Sequence, residues 1–269
     1  MNRLLLPKRY LMYALLLIVL TLLAAPYTLP RAYATNVSAT KHNLSISGPG
    51  LVKAISETRI CVFCHTPHNA VSDVAGINIP LWNHTLSSAV YTVPDKTNPQ
   101  WAVLLSTPQN PPDGDSKLCL SCHDGTVAIG SVVNLGGGAI TISMQGTGAG
   151  GLMPAGAANL GTDLSGHHPV SIAVNNSLLT DKLQQCSTGV VSFQLCYPTT
   201  GQPVKLRPTN NTYNALPGAG NKGGVQCSSC HDPHTDPNPG TTMFLRVGDK
   251  NNTTPLCTTC HVDCSGTCP

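Results

Sequence analysis

Four pentapeptides carry the chemistry that can be read from this chain. They are Cys61-Val62-Phe63-Cys64-His65, Cys119-Leu120-Ser121-Cys122-His123, Cys227-Ser228-Ser229-Cys230-His231 and Cys257-Thr258-Thr259-Cys260-His261. C-x-x-C-H is the attachment sequence for c-type haem. Its two thiols add to the two vinyl groups of a porphyrin as thioethers, and the adjoining His falls on one face of the ring, where its imidazole binds iron. Zinc knuckles also use C-x-x-C, but they draw their other ligands from a distant second pair. They do not call for His directly after the second Cys, and disulfides leave the four histidines unexplained. The pattern therefore points to four c-type haems. Cys61, Cys64, Cys119, Cys122, Cys227, Cys230, Cys257 and Cys260 are the attachment residues, and His65, His123, His231 and His261 the proximal iron ligands.

What the haems do depends on the sixth ligands. Six of the ten histidines remain, namely His42, His68, His84, His167, His168 and His234. Beyond the N-terminal segment the only methionines are Met144, Met153 and Met243. Bis-histidine iron is the favoured reading, with the low potentials that follow when Met is not a ligand. His68 and His234 each follow a proximal His by three residues, as Cys64-His65-Thr66-Pro67-His68 and Cys230-His231-Asp232-Pro233-His234. On a helical turn such a pair shares one face. It cannot straddle a single ring, so each second His serves a different haem or none, and separate cofactors become a relay. His167, beside His168, is the most dispensable. Catalysis at haem needs an open coordination position; the surplus of histidine argues for an electron carrier and against an enzyme.

The elements that must position these groups are predicted to be modest. Residues 1–34 read as a signal peptide: Arg3, Lys8 and Arg9 precede an apolar run from Tyr10 to Ala25, and Ala32-Tyr33-Ala34 has the A-x-A cleavage pattern. The apolar run is short for a membrane span, and no later stretch is long and apolar enough for one. Residues 35–269 then form one tetrahaem domain. Removing Arg3, Lys8, Arg9 and Arg31 from the fifteen basic residues leaves that domain, with twelve acidic ones, close to neutral, which does not indicate nucleic acid. With three Phe and two Trp against 25 Gly and 22 Pro, an ordinary core would be weak. The expected fold is mostly irregular coil with short helices and a few short strands, wrapped around four haems. The Gly-rich segment Asn134 to Leu164 lacks a helical period and reads as loop or hairpin.

Several further runs carry a resemblance: Lys41-His42-Asn43-Leu44-Ser45, CVFCHTPH from Cys61 to His68, Pro80-Leu81-Trp82-Asn83-His84, LCLSCHDGTVAIG from Leu118 to Gly130, His168-Pro169-Val170-Ser171, QCSSCHDPH from Gln226 to His234, and Phe244-Leu245-Arg246. Together with the terminal CTTCH they cover most of the chain after residue 34. They resemble exported multihaem cytochromes, and most of all the tetrahaem cytochromes that polymerise into extracellular filaments, the OmcE type of cytochrome nanowire. The resemblance implies bis-His haems in a continuous chain and subunits joined head to tail. It also implies that the second His of the first C-H-x-x-H, here His68, is donated to a haem of the neighbouring subunit. The other sixth ligands would come from His42, His84, His168 and His234, one candidate more than four irons require.

Cys186, Cys196, Cys264 and Cys268 remain outside the motifs. An even remainder in an exported chain favours disulfides; local pairing, Cys186–Cys196 and Cys264–Cys268, is expected. N-x-S/T acceptors begin at Asn36, Asn43, Asn83, Asn175, Asn210, Asn251 and Asn252, which suits a glycosylated protein outside the cell. Asn43 and Asn83, beside candidate ligands, are poor acceptors. Three functions compete: a polymerising conductor, a soluble periplasmic or surface shuttle between redox partners, and a multihaem reductase.

Overall fold

Short apolar runs broken by Gly and Pro leave little sequence for regular structure, and the computed structural model has little. It describes residues 36–71, 81–95, 97, 107–198, 202–209, 221–237 and 241–267. The expected signal peptide, Asn210 and Cys268 lie outside the described residues. Among the described residues no helix is long and apolar enough to cross a membrane.

Among the described residues eight strands pair only two by two, each pair antiparallel. β1 (Lys53–Ala54) joins β4 (Met144–Gln145), and β2 (Ser131–Val132) joins β3 (Ile140–Thr141). β5 (Ile172–Asn175) joins β7 (Asn221–Val225), and β6 (Phe193–Leu195) joins β8 (His261–Asp263). The helices are α1 (Gly114–His123), α2 (Asn176–Ser187) and the single turns α3 (Cys227–Cys230) and α4 (Thr254–Cys257). The expectation of coil with short helices and strands holds. The Gly-rich stretch contributes loops, β3, which pairs with β2 just before it, and β4, which pairs with the distant β1.

Two-stranded ribbons are marginal by themselves in water, and the apolar packing beneath them is small. One cluster holds Ala54, Phe63, Val132 and Ile142; another holds Tyr91, Leu120 and Leu164. Much of the remaining interior is polar and hydrogen-bonded. Asn83, wholly buried, donates from Nδ2 to the Val62 carbonyl at 2.5 Å and the Asn134 carbonyl at 2.9 Å.

The disulfide expectation is corrected. Cys186 pairs with Cys264, not Cys196, at an S–S distance of 2.04 Å. Register decides this. Phe193 lies opposite Asp263 and Leu195 opposite His261, so Cys196 and Cys264 flank opposite ends of the ribbon. The last turn of α2 brings Cys186 to the Cys264 end. Cys196, whose N–H donates to the Cys260 carbonyl at 2.8 Å, is also disulfide-bonded.

Candidate haem-binding sites

Each motif sits on a short turn that presents its thiols together. The first begins on a 3-10 turn, Cys61–Phe63; the second ends α1; the third forms α3; the fourth spans the end of α4. On α1, Cys119 and Cys122 are three residues apart and share a face. Gln226, wholly buried, fastens the second motif to the third. Its Oε1 accepts from the Ser116 N–H at 3.1 Å and its Nε2 donates to Asp113 at 2.9 Å. The Cys227 N–H in turn donates to Ser116 Oγ at 3.0 Å. Gly114 opens α1 at φ +50°, where a Cβ would stand 2.7 Å from the Pro208 carbonyl oxygen; only glycine relieves both constraints.

Consecutive motifs are neighbours in space. The neighbouring Cys227, and then burial, raises the Cys119 thiol. Burial, and then the nearby Cys64, raises Cys122. Burial, then Cys227 and Cys257, pushes Cys230 up to about 11. All eight motif thiols stay out of disulfides, whereas Cys186, Cys196 and Cys264 are in them.

The imidazoles come in pairs. His42 faces His123 with ring centres 6.1 Å apart at 71°. His234 faces His65 at 6.1 Å and 16°. His168 faces His261 at 6.1 Å and 72°. An imidazole nitrogen binds a transition metal at roughly 2 Å, with the ring centre about 1 Å behind it, so two imidazoles on one iron have centres about 6 Å apart. Each pair combines one motif His with one distal His. Among the described residues no group of three or more His, Cys, Asp or Glu converges as a bare metal ion would need. The donor set fits haem, which supplies four ligands of its own, and does not fit tetrahedral zinc.

Hydrogen bonds orient several of these rings. Nδ1 of His42 meets the Pro233 carbonyl at 2.9 Å, His123 that of Ala158 at 2.7 Å, His168 that of Pro169 at 2.9 Å and His231 that of Met243 at 3.0 Å. A carbonyl can only accept, so Nδ1 carries the proton and Nε2 keeps its lone pair for a metal. Burial lowers His42 and His231 below the ordinary imidazole range. Burial, then His168 and Lys182, lowers His261 to about 4. These rings are neutral near pH 7, the form that binds a metal. The scarce aromatics gather here: Phe244 stacks on His42 at 4.3 Å, Phe193 meets His261 edge-on at 4.8 Å and Trp82 meets His65 at 6.3 Å. The indole Nε1 of Trp82 is buried without a hydrogen-bond partner, a donor that suits a haem carboxylate.

His84 and His68 stand apart from the pairs. His84 is fully buried, and its Nε2 meets the Ser121 carbonyl at 3.2 Å. That bond puts the proton on Nε2, the reverse of the four rings above. The structure does not bring His84 opposite a motif imidazole. His68 is exposed, and among the described residues no second imidazole ring faces His231.

An internal duplication, invisible in the amino-acid letters beyond C-H-x-P-H, relates the first motif to the third. His65 bridges to Trp82 as His231 bridges to Leu245. Thr66 N–H donates to the Leu81 carbonyl at 2.9 Å, and Asp232 N–H to that of Phe244 at 2.8 Å. Asn83 N–H donates to the Cys64 carbonyl at 2.9 Å, and Arg246 N–H to that of Cys230 at 2.8 Å. Leu81 and Phe244 share a positive φ, 51° and 61°. By this superposition His68 corresponds to His234, the residue that reaches the proximal imidazole of another motif.

Among known families, the doubled CXXCH motif matches residues 219–265, across the third and fourth pentapeptides. The match supports a multihaem c-type cytochrome. No curated protein matches the chain at a significant level. The motif cysteines are the residues that would hold haem covalently, as thioethers, and the motif histidines those that would ligate its iron. Sequence reasoning named every paired imidazole but not the partners; it missed Gln226 and the second halves of the duplication, whose letters differ.

Proposed function

We propose that the chain is a subunit of an extracellular electron-conducting filament, carrying four covalent haems ligated by histidine on both faces. Haem iron supplies a one-electron couple; the polypeptide fixes the imidazoles and the spacing of the cofactors. Within the subunit the distal ligands are His234 for the first motif, His42 for the second and His168 for the fourth. The third receives His68 from the next subunit, head to tail.

The observation that carries this reading is the equivalence of His68 and His234. Both are exposed, but His234 faces a proximal imidazole inside the chain, whereas among the described residues His68 faces none and His231 is the proximal imidazole left without a partner ring. His84, with Nε2 engaged by Ser121, is then a structural residue and the surplus candidate. Residues 1–34 direct export and are removed, and the assembled polymer exchanges electrons with redox partners or acceptors outside the cell. Of the described sequons, Asn36, Asn251 and Asn252 are exposed, whereas Asn43 and Asn83 are buried, so sugar belongs on the exposed three.

The deciding experiment is electron microscopy of native secreted protein beside a His68→Ala variant. The variant should load haem covalently and remain a single subunit, with one haem lacking a protein sixth ligand. Filaments from His68→Ala, or wild-type monomers with every haem six-coordinate, would replace the conductor with a soluble shuttle. A native iron that binds exchangeable small ligands would instead point to a reductase.

A further inference from the structure

The residues following the proximal histidines are Thr66, Asp124, Asp232 and Val262. Two of them are carboxylates, and their surroundings are opposite. Asp232 is met by Arg246 Nη1 at 3.3 Å. Asp124 is only 4% exposed, and among the described residues no Lys or Arg forms an ion pair with it. Its Oδ2 accepts from Tyr91 Oη at 2.6 Å and Ser87 Oγ at 2.5 Å. Its Oδ1 accepts from the Thr126 N–H at 2.8 Å and Thr126 Oγ1 at 2.9 Å. These donors are all neutral, so they place no positive charge beside the carboxylate.

We infer that Asp124 sets the potential of the haem at the second motif and makes it the lowest in the chain. Reduction adds one electron to that iron, and a fixed negative charge in a poorly screened interior opposes the addition. The second motif lies between the first and third, since Cys122 neighbours Cys64 and Cys119 neighbours Cys227. Asp124 therefore places an uphill step inside the relay, not at its end. The inference rests on covalent haem at the second motif and not on polymer formation.

The test is spectroelectrochemical titration, with soluble redox mediators, of the haem-loaded protein and its Asp124→Asn variant. A unit charge about 10 Å from iron, at an effective dielectric constant of about 20, changes the reduced-to-oxidised ratio on the order of tenfold. For a one-electron couple that is about 59 mV. Asp124→Asn should raise the lowest of the midpoints by about that amount and leave the highest unmoved. Tyr91→Phe removes a donor from the carboxylate without removing the charge, so it should move the same midpoint the opposite way. Equal movement of all the midpoints, or none, overturns the inference. If Asp124→Asn fails to load haem, Tyr91→Phe decides alone: a downward shift supports the assignment, and no shift or an upward one overturns it. Intact mass and the Soret band of each variant report haem attachment separately, so loss of the cofactor is not mistaken for loss of the electrostatic effect.

Discussion

Replacing His234 by Ala should damage the first haem site from a distance. His234 and His65 face each other at 6.1 Å, so a shared iron would clip the third motif to the first. The clip closes a loop on the order of 170 residues, and constraining such a loop is worth up to about 5 kcal/mol in the chain-entropy relation. The other paired imidazoles close overlapping loops, which makes this an upper value. In a domain of this size about 1 kcal/mol corresponds to roughly 2–4 °C, so the unfolding midpoint should fall on the order of 10 °C. The assay is thermal unfolding followed by far-ultraviolet circular dichroism, with the optical spectrum recorded beforehand. One haem should turn from low-spin to high-spin as its sixth ligand is lost. The matched control is His84→Ala, which perturbs buried packing and should leave every haem low-spin. A His234→Ala protein with an unchanged spectrum and midpoint would refute the pairing, and a high-spin signal from His84→Ala would reassign the ligand.

Two further outcomes follow from local structure. Cys186→Ser opens a disulfide that spans 78 residues, worth on the order of 4 kcal/mol in the same relation, against under about 3 for a ten-residue loop; denaturant unfolding measures the loss, and a non-reducing peptide map should recover Cys186 linked to Cys264. Glu57 is held down to about 2 by its hydrogen bonds with Arg59, whose guanidinium forks onto both carboxylate oxygens. Its folded value lies below its ordinary 4.5, so its contribution is present above that value and is lost as pH falls toward 2. Glu57→Gln should flatten stability against pH across that window, as acid titration of the unfolding midpoint would show.

What the residues alone determined is the chemistry at each motif. Thioether formation and proximal ligation need neighbouring Cys, Cys and His, and covalent adjacency is written in the letters. The scarcity of regular structure was also legible, because Gly, Pro and missing aromatics act locally. Tertiary structure decided which imidazole faces which. His42 is placed opposite His123, far along the chain, by contacts such as Nδ1 to the Pro233 carbonyl and the stack on Phe244. It likewise decided that His84 Nε2 meets a backbone carbonyl and that Cys186 lies at the Cys264 end of the β6–β8 ribbon. These are choices of register and packing between distant segments, and sequence spacing does not encode them. The duplication shows the limit plainly: Asn83 and Arg246 occupy the same backbone position, and only the hydrogen bonds to Cys64 and Cys230 reveal it.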